Sequence, residues 1–141
     1  MLRNADARWK GTALDGSGVL SVESGTLKDT PYSFKTRFGD VQGTNPEELL
    51  AAAHAACFTM ALSFALVNRG CQPATIDTKA KLRMEQLSTH WTITSIHLET
   101  KARVPGLDAG AFARIAEETK ANCPVSRVLN ATVTVAAELL P

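Results

Sequence analysis

"AAAHAACFTMALSFAL", Ala51 to Leu66, is a run of small and apolar residues that carries His54 and, near its middle, Cys57. What precedes it reads as a helix start. Asn45 is the N-cap, Pro46 takes the first helical position, and Glu47 and Glu48 fill the first turn, where carboxylates suit the helix dipole. Gly70 ends the pattern, so the spacing predicts one helix from Asn45 to about Asn68. That helix is apolar on nearly every side and must be wrapped by protein all round. The run from Leu49 to Val67 is also just long enough to be tested as a membrane span. Its alanines, the polar His54, Thr59 and Ser63, and the lack of a second such segment favour a central buried helix.

Outward from this helix the chain alternates between strand and helix periods. Three short strands are predicted before it, around Ala7 to Gly11, Gly18 to Glu23 and Tyr32 to Phe38. In the third, Tyr32, Phe34, Thr36 and Phe38 alternate with Ser33, Lys35 and Arg37, which puts Arg37 on the face opposite the aromatics. Two long strands follow, "TIDTKAKLRME" and "HWTITSIHLETKARV". The second changes phase between Ile93 and Ile96, so a bulge is expected near Ser95. A helix over Ala109 to Ala121 buries Phe112, Ile115 and Ala116; a short third helix in "NCPVSRVLN" and a last strand in "ATVTVAAEL" complete the chain. The order is β-β-β-α-β-β-α-α-β, an α+β fold, and no repeat or linker divides residues 1–141, so a single domain is expected.

Composition narrows the function. Fifteen basic residues against fourteen acidic ones give a net charge of +1 with no basic stripe, which leaves nucleic-acid binding without electrostatic support. The opening "MLRNADARWK" has no apolar signal core, so no membrane association is expected. The cysteines, Cys57, Cys71 and Cys123, are odd in number and widely spaced, unlike a secreted disulfide framework. A reducing cytoplasm is the natural setting, and there a cysteine pair means either idle thiols or redox chemistry.

Two cysteines have contexts worth weighing. Cys123 in "CPVS" fits an N-cap before a proline, where its sulfur would face unpaired N–H groups and favour thiolate; a cysteine in an unreactive turn fits equally well. Cys57 lies mid-helix among alanines, where burial raises a thiol pKa, and alone it reads as core. Glu47 precedes it by ten residues, roughly 15 Å along a straight helix at about 1.5 Å per residue. If Glu47 serves Cys57, it must therefore come from a second copy of the chain. By themselves, Glu47 reads as a helix-capping residue and Arg37 as a solvated one. His54, His90 and His97 read as packing or surface residues and Cys71 as structural; no metal-ligand spacing is present.

"ESGTLKDTPYSFKTRF", "GTNPEELLAAAHAACFTMAL" and "CPVSRVLNA", in that order and at these intervals, closely resemble the osmotically inducible protein C family, relatives of the organic hydroperoxide resistance proteins. The resemblance runs from about Ala7 to Leu139. It implies an intertwined homodimer with a long central buried helix wrapped by antiparallel sheets, and a thiol-dependent peroxidase that reduces organic hydroperoxides and, less readily, hydrogen peroxide. By motif, Cys57 would be the peroxidatic cysteine, Cys123 the resolving one, Arg37 the active-site arginine and Glu47 the carboxylate paired with it. A Cys57–Cys123 disulfide would be reduced by an external dithiol, for which the resemblance points to dihydrolipoyl groups on carrier proteins, with no metal or prosthetic group. A general thiol–disulfide oxidoreductase and a non-catalytic dimer that binds apolar ligands are the alternatives.

Overall fold

The computed structural model describes residues 1–141, and the chain divides into two compact units, Met1–Leu49 and Leu50–Pro141. In the first unit, β1 (Ala5–Lys10), β2 (Ser17–Val22) and β3 (Thr30–Ser33) form an antiparallel sheet in that order. Trp9 of β1 and Tyr32 of β3 both pair with Gly18 of β2, and their rings meet over it with centroids 5.4 Å apart. A side chain at position 18 would occupy the space those rings fill.

The third strand is shorter than the alternation predicted. It stops at Ser33, and Phe34–Phe38 form a short helix, α1. The cause is a capping box: Ser33 Oγ accepts the Thr36 N–H, and Thr36 Oγ1 accepts the Ser33 N–H. The two side-chain hydrogen bonds close a helical turn on residues whose apolar alternation suits a strand. Thr36 Oγ1 also donates to the Thr44 carbonyl, and Asn45 Nδ2 donates to that of Thr36, which ties α1 to the start of the next helix. Arg37 thus projects from a helical turn rather than from the outer face of a strand.

Helix α2 covers Pro46–Val67, and Asn45 Oδ1 caps it by accepting the Glu48 N–H. Its C-terminus is a Schellman motif. Gly70 takes φ +77°, its N–H donates to the Val67 carbonyl, and the Cys71 N–H donates to that of Leu66. Cys71 packs, half-buried, against the core beside this turn.

The second unit places α2 against a three-stranded sheet in the order β4 (Thr75–Leu87), β5 (His90–Arg103), β6 (Thr132–Leu139). Arg83 pairs with Ser95 and Met84 with Ile93, so Thr94 is the bulged residue, next to the expected position. The bulge turns Ile96 and Leu98 into the core, with Phe58, Leu62 and Leu66 of α2 and Phe112, Ile115 and Ala116 of α3 (Ala109–Asn122).

One further expectation needs correction. The sheet is mixed, because β6 runs parallel to β5. The connection between them holds α3 and α4 (Pro124–Val128), and a crossover of that length is what parallel neighbours require. Helix α2 is covered only in part within one chain. The stripe His54, Phe58, Leu62 and Leu66 is buried, while Met60 and Phe64 remain 62% and 63% exposed. Apolarity all round records what the helix face needs, and one chain supplies cover for only part of it.

The glycine at the aromatic crossing offers a direct test of the first unit. A Cβ at Gly18 would stand 2.5 Å from the Tyr32 ring and 2.8 Å from that of Trp9. Gly18→Ala is expected to destabilise this unit by about 1–3 kcal/mol. Denaturant unfolding followed by Trp9 fluorescence, in a Trp91→Phe background, measures it.

Candidate active site

The crossover that makes β6 parallel also brings two cysteines together. Cys123 ends α3 and begins α4, with extended backbone at φ −60° and ψ 125°. Its sulfur is fully buried and lies 3.4 Å from that of Cys57, 66 residues earlier in the chain. Both are free thiols, and Cys57 is the more accessible of the two.

The backbone donor at the start of α4 serves the sulfur that sequence reading did not connect with it. Cys123 makes no side-chain cap bond. Pro124 has no N–H, so Val125 carries the first free donor of the turn, and it donates to the Cys57 sulfur. Cys57, mid-helix and out of reach of its own helix terminus, receives that help from another helix. Burial still pushes the Cys57 thiol up, the Val125 N–H draws it back, and the Cys123 thiol raises it further, since neighbouring sulfurs resist ionising together. Taken together these groups leave the Cys57 thiol above its ordinary pKa.

One turn before Cys57, the fully buried His54 reaches α4 as well, its Nε2 2.8 Å from Ser126 Oγ. Nδ1 has no partner. The tautomer that leaves no buried N–H unpaired has Nε2–H donating to Ser126 and a bare lone pair on Nδ1. Burial lowers the imidazole pKa, and the side chain keeps one polar contact, to Ser126. Ser126, three residues after Cys123, was not singled out from sequence; its signal is a hydroxyl on the turn that follows "CP".

In the first unit, Arg37 and Glu47 are paired. Nε of Arg37 lies 3.0 Å from both Glu47 carboxylate oxygens and Nη2 lies 2.5 Å from Oε1, a two-nitrogen grip that fixes the guanidinium plane. Arg37 is exposed at the surface, and Glu47 engages its guanidinium. The guanidinium stands over the Phe38 ring, 5.0 Å from its centroid. A largely apolar cavity of about 460 Å³ opens here, lined by Trp9, Tyr32, Phe34, Phe38 and Arg37 among others.

His90 and His97 bond to Thr89 and Thr134 near the surface, and no three His, Cys, Asp or Glu side chains gather as a metal site. What the second unit holds is a dithiol centre, two reduced sulfurs in contact with a backbone donor on one of them.

The family model described as OsmC-like protein matches residues 39–138, and the chain belongs to that family. It is 46% identical over 137 residues to the protein named peroxiredoxin OsmC from Escherichia coli (strain K12), covering 97% of this chain and 96% of the relative. An organic hydroperoxide resistance protein from Xanthomonas axonopodis pv. citri (strain 306) is 27% identical over 131 residues, 91% of this chain and 90% of its own. Among solved structures, an OsmC-like protein of unknown function from Vibrio cholerae superposes with a TM-score of 0.77 at 14% identity, covering 99% of each chain. The organic hydroperoxide resistance protein OhrB of Bacillus subtilis superposes with a TM-score of 0.68 at 22% identity, over 97% of this chain and 98% of its own. At those identities the superpositions establish a shared fold.

The buried imidazole gives a pH test. Its folded-state pKa lies below the ordinary 6.5, so between the two values the unfolded chain holds more protons than the folded one. The contribution to stability is complete above 6.5 and declines as pH falls through that value towards the folded-state pKa. Denaturant midpoints recorded from about pH 7.5 down to about pH 5 should fall less steeply for His54→Gln, which keeps a donor and does not titrate.

Proposed function

We propose that this chain is a thiol peroxidase for organic hydroperoxides that works as a homodimer in the cytoplasm, with residues 1–141 acting as one OsmC-like domain. The observation that carries the proposal is the dithiol: two free sulfurs 3.4 Å apart, the more accessible of them accepting a backbone N–H. The relative named peroxiredoxin OsmC, at 46% identity over 97% of this chain, supports the same reaction class.

In this reading the Cys57 thiolate attacks the terminal oxygen of the hydroperoxide. The O–O bond breaks, the alkoxide takes a proton and leaves as alcohol, and Cys57 becomes a sulfenic acid. The Cys123 sulfur then attacks that of Cys57, water leaves, and a disulfide forms. An external dithiol, for which dihydrolipoyl groups are the candidate, restores both thiols by exchange and is itself oxidised. No prosthetic group enters the cycle.

Arg37 supplies the charge that Cys57 needs. A guanidinium at the sulfur would hold the thiolate and stabilise the oxygen that gains charge as the peroxide bond breaks. Glu47 orients it and, engaged with Arg37, does not repel the sulfur. Because Glu47 and Cys57 are ten residues apart on one helix, the pair that serves each Cys57 belongs to a second copy. The exposed Met60 and Phe64 on α2 supply apolar surface for that copy to cover. The aromatic cavity beside Arg37 would then receive the organic part of the substrate, which favours apolar hydroperoxides over the well-hydrated hydrogen peroxide.

One equivalent of an organic hydroperoxide should remove two of the three free thiols per chain. Cys57→Ser should abolish both peroxide consumption and thiol loss, and Cys123→Ser should leave a trappable sulfenic acid on Cys57. Peroxide consumption by Cys57→Ser at the parent rate would falsify the proposal.

Removing the charge separates peroxidase chemistry from simple disulfide exchange. Arg37→Ala should raise the alkylation pKa of Cys57 and slow peroxide turnover by at least about a hundredfold. Exchange of its preformed disulfide with a small dithiol should change far less. Equal losses in both reactions would favour a general thiol–disulfide oxidoreductase.

A further inference from the structure

Helix α4 has five residues, too few to hold itself on α2 by helical cooperativity. Three contacts join it and its cap to one turn of α2. Cys123 Sγ touches Cys57 Sγ at 3.4 Å, the Val125 N–H donates to the same Cys57 sulfur, and Ser126 Oγ bonds His54 Nε2 at 2.8 Å. The first two pass through the sulfur that changes during turnover. Once Cys57 carries a sulfenic oxygen, its size, charge and hydrogen-bonding pattern differ, and both contacts must rearrange. The contact between His54 and Ser126 involves no reacting atom and survives oxidation.

We infer that the His54–Ser126 hydrogen bond is a positioning clamp that keeps Cys123 in line with Cys57 while Cys57 is a sulfenic acid, and so sets how fast the disulfide closes. The inference rests on the peroxidase reading above and adds a role for two residues outside its chemistry. His54 and Cys57 are three residues apart on α2, so they share a face. Ser126 and Cys123 are likewise three apart along the turn that opens α4. The clamp thus ties together the same two turns that must present sulfur to sulfur. Its value lies in competition. A sulfenic acid that waits too long for its thiol meets a second hydroperoxide and becomes sulfinic acid, with another molecule of alcohol released. The condensation itself is balanced: the Cys123 thiol loses its proton, the S–O bond of the sulfenic acid breaks, and water leaves as the S–S bond forms.

The test uses the full-length protein with Ser126→Ala as the main variant, since the buried His54 is the riskier position for folding. Reaction with excess cumene hydroperoxide is quenched at intervals, and sulfenic, disulfide and sulfinic forms are resolved by mass spectrometry. Ser126→Ala should close the disulfide about fivefold more slowly, the size expected from losing one net hydrogen bond. Sulfinic acid should rise in proportion, while the rate of the first oxidation of Cys57 stays within about twofold of the parent. Ser126→Thr, which keeps the hydroxyl, should restore closure, and His54→Gln should fall between Ala and the parent. Disulfide closure at the parent rate in Ser126→Ala overturns the clamp, and so does equal slowing of oxidation and closure, which would mean general loosening. A parent protein that forms no disulfide with hydroperoxide refutes the peroxidase reading instead, a result visible before any Ser126 variant is made.

Discussion

The close approach of α4 to the middle of α2 is the constraint on which the candidate site depends. It follows from topology: β6 must return parallel to β5, so the chain between them forms a crossover, and that crossover carries α3, Cys123 and α4. Cys123 lies against Cys57 on a face of α2 where Ala53 and Ala61, one helical turn to either side, have small side chains that leave room for another backbone. The same approach lets the first free N–H of α4 reach the Cys57 sulfur.

An apolar setting is costly for an anion and useful for a greasy substrate, and the two demands meet at Cys57. Burial pushes the Cys57 thiol pKa up, and one backbone donor offsets only part of that effect. The proposed remedy is to keep the strong charge elsewhere, preassembled. Arg37 is gripped by Glu47 through two nitrogens, so its orientation is fixed before it meets any sulfur. A guanidinium held in this way loses little freedom when it engages a thiolate, which is the advantage of arginine over the more flexible lysine.

Much of this was legible in the chain. The N-cap Asn45, the stop at Gly70, the bulge next to Ser95 and the buried stripe Phe112, Ile115 and Ala116 follow from local rules that tertiary packing did not override. The errors have physical causes. Tyr32 to Phe38 has the apolar alternation of a strand, but the Ser33–Thr36 capping box, with threonine in place of the usual glutamate, converts most of it into α1. Periodicity also says nothing about strand direction, so β6 was not seen to run parallel to β5. Residue type alone left Cys57, Arg37 and Glu47 as packing, solvated and capping residues; the resemblance of the motifs proposed them, with Cys123, as site residues. The Val125 N–H and the His54–Ser126 contact were invisible, because a backbone donor has no letter of its own and a contact across 72 residues leaves no local trace.

The position of Cys123 at the joint between two helices has a mechanical consequence. A covalent bond from there to Cys57 would staple that joint to the central helix and close a loop spanning 66 residues. On the chain-entropy account, a tether of that length removes freedom from the denatured ensemble worth about 4 kcal/mol. The two redox forms would then differ markedly in heat resistance, and the molecule would be toughest in the interval between meeting an oxidant and meeting its reductant.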